Sequence, residues 1–107
     1  MPTNAVAAFG ALGDPTRRAI FELVARRPMS VGAIALKIPV SRPAVSQHLK
    51  VLKVAGLVID HPNGTKRIYE IDPDGLDAIH AYFDRFWNNA LSGFKRAAEQ
   101  AASKEEQ

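Results

Sequence analysis

Residues Val40 to Leu57 read VSRPAVSQHLKVLKVAGL, and this stretch decides the fold. The Ser41 hydroxyl can cap a helix, and Pro43 falls in the first turn, where a missing N–H costs nothing. Val45, Leu49 and Leu52 recur at i, i+4 and i+7, so one face is apolar. Gly56 can close the helix just past its C-cap. Arg42, Pro43, Ser46, Gln47 and Lys50 fall away from the apolar stripe, and none of them is acidic. An apolar back with a Ser/Gln/Arg/Lys front suits a DNA major groove, whose base edges need donors and acceptors. An ordinary amphipathic surface helix has the same back, and the flanking segments decide between the two.

Length and composition bound the answer. The 107 residues allow one domain, here taken as 1–101, with a core of the size that a partner subunit often completes. An apolar fraction of 47% fits a folded globular chain. No apolar run approaches the ~18 residues of a membrane span, and no basic-then-apolar leader opens the chain. The expected location is therefore the cytoplasm. The chain has no cysteine, which removes disulfides and thiolate metal sites. The net charge of +3 is unevenly spread: Met1 to Leu36 carries +2, Lys37 to Arg67 carries +5, and Ile68 to Gln107 carries −4. A basic middle beside an acidic C-terminal third points to one face made for a polyanion.

Upstream, Ala5 to Leu12 reads as a short alanine-rich helix with Phe9 and Leu12 as its large apolar residues, ended by Gly13. Asp14 then caps a second helix with Pro15 first, an inner stripe of Ala19, Ile20, Leu23 and Val24, and a stop at Pro28. Arg17 and Arg18 lie in its first turn, where cations are disfavoured; solvation is the expected state, with a phosphate or an acidic partner as the alternative. Ser30 caps a third helix, Val31 to Lys37, with Ile34, Leu36 and Ile38 available for the core. The tight link Ile38-Pro39-Val40 leads into the Ser41 helix. Two short helices joined this way, the second with a polar front, make a helix-turn-helix.

After Gly56 the period changes from 3.6 to 2. Leu57 to Pro62 and Lys66 to Ile71 alternate about the turn cluster Pro62-Asn63-Gly64-Thr65, which predicts a two-stranded hairpin. Behind a helix-turn-helix such a hairpin is a wing, and its tip, Asn63 to Arg67, carries two cations fit for phosphate or minor-groove contact. A hairpin with solvated cations is the alternative. The last helix runs from Pro73 to about Glu99, roughly 40 Å at 1.5 Å per residue. It has two apolar stripes, Leu76, Ile79, Phe83, Phe86 and Ala90, then His80, Trp87, Leu91, Phe94 and Ala98. One core needs one stripe, so the second asks for a second subunit, with the Ala5–Leu12 helix as its neighbour. Residues 102–107 read as a frayed polar tail.

The run SVGAIALKIPVSRPAVSQHLKVLKVAGLV, with the hairpin ending RIYEID, resembles the ArsR-type winged-helix repressors. The stretch LDAIHAYFDRFWNNALSGFKRAAE is similar to the metal-independent branch of that family. The resemblance spans roughly Ala5 to Glu99. It implies a mainly α winged helix-turn-helix with about five helices and a two-stranded wing. It also implies a homodimer through the first and last helices, acting as a transcriptional repressor. The helix before the reading helix lacks a cysteine pair, and no second histidine lies near Leu91, so no metal effector is carried over.

The expected site residues follow. Arg42, Pro43, Ser46 and Gln47 read bases; Ser41, His48, Lys50, Lys66 and Arg67 hold phosphate. For His48 a structural role is the close alternative. Phe9, Leu12, Phe83, Phe86, Trp87, Leu91 and Phe94 form the dimer interface. Tyr82, Phe83, Phe86 and Trp87 could instead line a small apolar pocket there. His80 with Asp77 and Asp84 is read as packing rather than as a metal site. Ser46 and His48 point apart on one helix and make no catalytic pair, and no phosphate loop or carboxylate pair suggests an enzyme. Expected partners are double-stranded DNA and a second copy of the chain, with no cofactor and an unknown effector. The alternative function is a ligand-sensing or protein-interaction winged helix with weak or no DNA binding.

Overall fold

The computed structural model describes residues 5–105. Their order is α1 (Ala5–Ala11), α2 (Pro15–Arg26), β1 (Met29–Ser30), α3 (Val31–Ala35), α4 (Arg42–Val54), β2 (Val58–Asn63), β3 (Lys66–Ile71) and α5 (Pro73–Glu105). This is the mainly helical winged helix-turn-helix expected from the sequence, with one strand more.

Three helices start on side-chain caps. Asp14 Oδ2 accepts the Arg17 N–H at 2.8 Å, Ser30 Oγ the Ala33 N–H at 3.2 Å, and Ser41 Oγ the Ala44 N–H at 3.2 Å. Each such cap contributes about 1 kcal/mol. Gly56, at φ 82°, closes α4. Its N–H reaches the Lys53 carbonyl at 3.0 Å, and the Leu57 N–H reaches Leu52 at 2.9 Å. These paired bonds end the helix and turn the chain into β2.

The core joins Ala8, Ala11, Ile20, Val24, Met29, Ile34, Val45, Leu49, Leu52, Ala55, Leu57 and Val58, all of them apolar. Burying Val45, Leu49 and Leu52 stabilises by roughly 1.5–3 kcal/mol each and fixes the rotation of α4 about its own axis. Its polar front is thereby forced outward.

The sheet has the order β1-β3-β2, not the two strands expected. Met29 pairs with Tyr69 and Ser30 with Ile68. A two-residue strand is too short to display a period of two, so it was invisible in the sequence. β2 and β3 pair from Val58–Ile71 to Asn63–Lys66. Gly64, at φ 64°, supplies the left-handed residue of the tip. Pro62 is tolerated because β2 is an edge strand.

Three further expectations are corrected. α3 ends at Ala35, and Leu36 is 87% exposed rather than in the core. Ile34 and Ile38 are four apart and share the inner face; Leu36, two residues from each, points to the opposite side. Arg17 and Arg18 are not merely solvated: one Nη1 donates to the Ala11 carbonyl at 3.1 Å, the other to Leu12 at 3.3 Å. They cover the C-terminal carbonyls of α1, whose partial negative charge offsets their poor position in α2. Finally, α5 runs on to Glu105, so the first residues of the expected tail are helical.

α5 docks its first turn on the end of α4. Gly75 is buried there, and a β-carbon on it would overlap the Gly56 carbonyl oxygen. Asp72 Oδ1 accepts the Asp74 N–H at 3.0 Å, and the Asp72 N–H donates to Leu57 at 2.9 Å. Further along, α1 leans on α5 through Phe9 and Tyr82, their ring centroids 5.4 Å apart. The molecule extends 74 Å along its longest axis.

Candidate nucleic-acid interface

α4 stands as a ridge between two concave surfaces. On the wing side, α3, the start of α4 and β3 enclose a groove of about 550 Å³ lined by Gly32, Leu36, Arg42, Ser46, Lys66, Arg67 and Tyr69, among others, with no acidic residue. On the other side, α1 and α4 frame a groove of about 510 Å³ that includes Arg17, Gln47, Lys50, Val51 and Val54. Arg42, Pro43, Ser46, Gln47 and Lys50 are all exposed. The expected base-reading set therefore lies on one outward ridge but divides between its flanks: Arg42 and Ser46 toward the wing, Gln47 with Lys50 toward α1.

Arg42 is placed by the absence of a side chain. A β-carbon on Gly32 would stand 3.1 Å from its Nη2 and 3.3 Å from Cζ, so the guanidinium lies against the α3 backbone. Ser41 spends its hydroxyl on the Ala44 N–H. That hydroxyl is already an acceptor, although it retains its proton to donate.

One member of the phosphate set, Arg67, has a partner within the fold. Arg67 Nε binds Asp60 Oδ2 at 2.6 Å, while Lys53 Nζ holds Asp60 Oδ1 at 2.7 Å. The Lys53 and Arg67 bonds hold the Asp60 carboxyl below the usual carboxylate range. Lys53, which the sequence reading had not singled out, thus ties α4 to the wing. The signal was present: Asp60 is the only acid between Lys37 and Arg67. His48 is half-buried, a position that leaves both the structural role and the phosphate role open to it. The Arg17 N–H that Asp14 accepts holds the Asp14 carboxyl below the usual carboxylate range. Lys66 remains at the wing tip, exposed and lining the groove.

A separate apolar surface covers α5. Phe83, Phe86, Trp87, Leu91 and Phe94 are all exposed, Phe86 to 62% and Phe94 to 74%. Phe83 and Trp87 stack with centroids 6.1 Å apart. Val6, Phe9, Tyr82, Phe83 and Phe86 line an open groove of about 380 Å³ between α1 and α5. Phe9 lies at this surface, whereas Leu12, expected in the dimer interface, turns inward and packs on the core. His80 Nδ1 lies 3.4 Å from Asp84 Oδ2 on the exposed helix. Among the described residues no group of three His, Cys, Asp or Glu side chains is gathered as a metal site. No described helix is long and apolar enough to cross a membrane.

A helix-turn-helix domain profile matches residues 12–61. The HTH-type transcriptional regulator Rv2034 of Mycobacterium tuberculosis is 59% identical over 87 residues, 81% of each chain. The chain belongs to the ArsR-type helix-turn-helix transcriptional regulators. Within this family of DNA-binding regulators, the transcriptional repressor SdpR of Bacillus subtilis is 39% identical over 67% of this chain and 81% of its own. Among solved structures, an ArsR-like transcriptional regulator from Rhodococcus sp. RHA1 superposes with a TM-score of 0.74 at 30% identity, over 88% of this chain and 92% of that one. The homodimeric winged helix-turn-helix DNA-binding domain of Mb0332 from Mycobacterium bovis gives 0.61 at 27% identity, over 79% and 76%. In the winged helix-turn-helix fold shared with these structures, α4 is the second helix of the helix-turn-helix and β2–β3 is the wing.

Proposed function

We propose that this regulator is a homodimeric repressor that binds an inverted-repeat operator and blocks access to a promoter. The carrying observation is the exposed, acid-free front of α4, flanked by Lys66 across the wing-side groove. The repressor relative and the homodimeric neighbour support the same reading. Arg42 and Gln47 have the reach and the donors to read guanine and adenine edges, and Ser46 a nearby base or phosphate. Pro43 presents an apolar contact from the first turn. Lys50 and Lys66 hold phosphate. Arg67, paired with Asp60, leaves that set, and His48 stays in it as the half-buried member.

A second copy is the occupant that fits the α5 face. Monomeric proteins seldom leave so continuous an apolar surface in water. A two-fold axis there sets two α4 helices on one side of the duplex, with half-site centres roughly 34–36 Å apart. Such a protein works in the cytoplasm, where an operator is reached without crossing a membrane.

The test is selection of bound duplexes from a random pool, followed by footprinting. An imperfect palindrome with half-sites one helical turn apart is expected. Recovery of no preferred sequence would leave a protein-interaction winged helix as the better reading.

A further inference from the structure

The most basic segment of the chain has one carboxylate in its midst, and the structure gives that carboxylate two partners. Asp60, on β2, has a side chain only 6% exposed, and it is held by Lys53 from the last turn of α4 and by Arg67 from β3. Both cations are more than half exposed, so each has a free path to solvent or to a polyanion. Lys66, next to Arg67, enters no ion pair among the described residues and lines the wing-side groove.

Phosphate contacts carry no sequence information; each one strengthens binding to any duplex. A cation at this surface that is free to follow phosphates therefore raises affinity for all DNA alike. A cation bound to Asp60 is instead fixed in place, with part of its charge offset. The same three-way contact joins the wing to the end of the reading helix. It sets the angle at which Lys66 meets the backbone while α4 sits in the groove.

We propose that Asp60 is a positioning residue that sets the specificity of DNA binding, by withholding Lys53 and Arg67 from phosphate and fixing the wing against α4. The proposal rests on the DNA-binding reading above.

Salt-titrated binding of the full chain tests it, on the selected operator and on a scrambled duplex of equal length. Asp60→Asn keeps the side-chain shape and removes the charge. It should bind scrambled DNA more tightly at low salt, with a log–log salt slope steeper by about 1–2 per protomer, roughly 0.9 for each phosphate gained. The operator preference should fall by about tenfold. Arg67→Gln should leave the slope on scrambled DNA within about half a unit, whereas Lys66→Gln should make it shallower by about 0.9 per protomer. A merely structural Asp60 would weaken both duplexes together without steepening either slope, and that result overturns the proposal. If Asp60→Asn does not fold, Arg67→Gln decides: loss of a full phosphate's slope would place Arg67 on the backbone and overturn it. Wild-type protein without salt-dependent duplex binding would instead sink the DNA-binding reading itself, and this proposal with it.

Discussion

Gln47 and Lys66 belong to different elements and face different parts of a bound duplex. Gln47 projects from the outward ridge of α4, and its amide can pair with an adenine edge. Lys66 stands at the wing tip as a point charge. Gln47→Ala should relax preference at one base position per half-site, at about 1–3 kcal/mol on the cognate sequence. Lys66→Ala should weaken operator and scrambled DNA alike and make the salt slope shallower by about 1 per half-site. Equal loss on both duplexes for Gln47→Ala would remove it from the bases. Asp60 carries a prediction about pH. Lys53 and Arg67 lower its folded pKa. Its contribution to stability is therefore fully present above the unfolded carboxyl's value of about 3.9, and is lost as pH falls through the lower folded value. The difference in denaturant midpoint between wild type and Asp60→Asn should be flat from pH 7 to about 5 and shrink below about 4. A gap that persisted at the lowest pH would mean the carboxylate charge was not its source.

At the scale of elements, the joint between α4 and α5 governs where the long helix departs. Gly56 needs its positive φ to end α4, and Gly75 needs to lack a side chain so that the first turn of α5 can lie on the Gly56 carbonyl. Backbone cannot yield as a side chain does. Gly75→Ala should therefore destabilise by about 1–3 kcal/mol, read as a lower Tm. An unchanged Tm would show that α5 can dock without this close approach. Gly56 is legible in the sequence from its position after an apolar stripe, whereas Gly75 is not. Close approach between segments distant in sequence leaves no local pattern.

For the molecule as a whole, α5 is the decisive feature. At 33 residues it is roughly 50 Å long, far longer than the packed domain needs. Its aromatic face has no cover within the described chain beyond the contact with α1. Phe86→Asp would put a charge into that face, where burial penalises it heavily. The variant should shift a wild-type dimer toward monomer in sedimentation at micromolar concentration and lose operator affinity with α4 unaltered. A wild-type monomer under those conditions would exclude α5 as the dimer interface.

The sequence by itself determined the elements that local physics specifies. Caps at Asp14, Ser30 and Ser41, the stripe Val45, Leu49 and Leu52, the stop at Gly56 and the change of period after it were all legible. They delimit the reading helix and the wing because capping, periodicity and turn chemistry act within a few residues. What only the tertiary structure decided was which charges are free and which small residues are contact points. Arg67 pairs with Asp60 at 2.6 Å and Arg17 lies on the end of α1, partners that no local pattern announces. β1 became a strand only because β3 passes beside it. Each of these depends on groups brought together by packing of the core, a relation between segments that no single stretch of sequence contains.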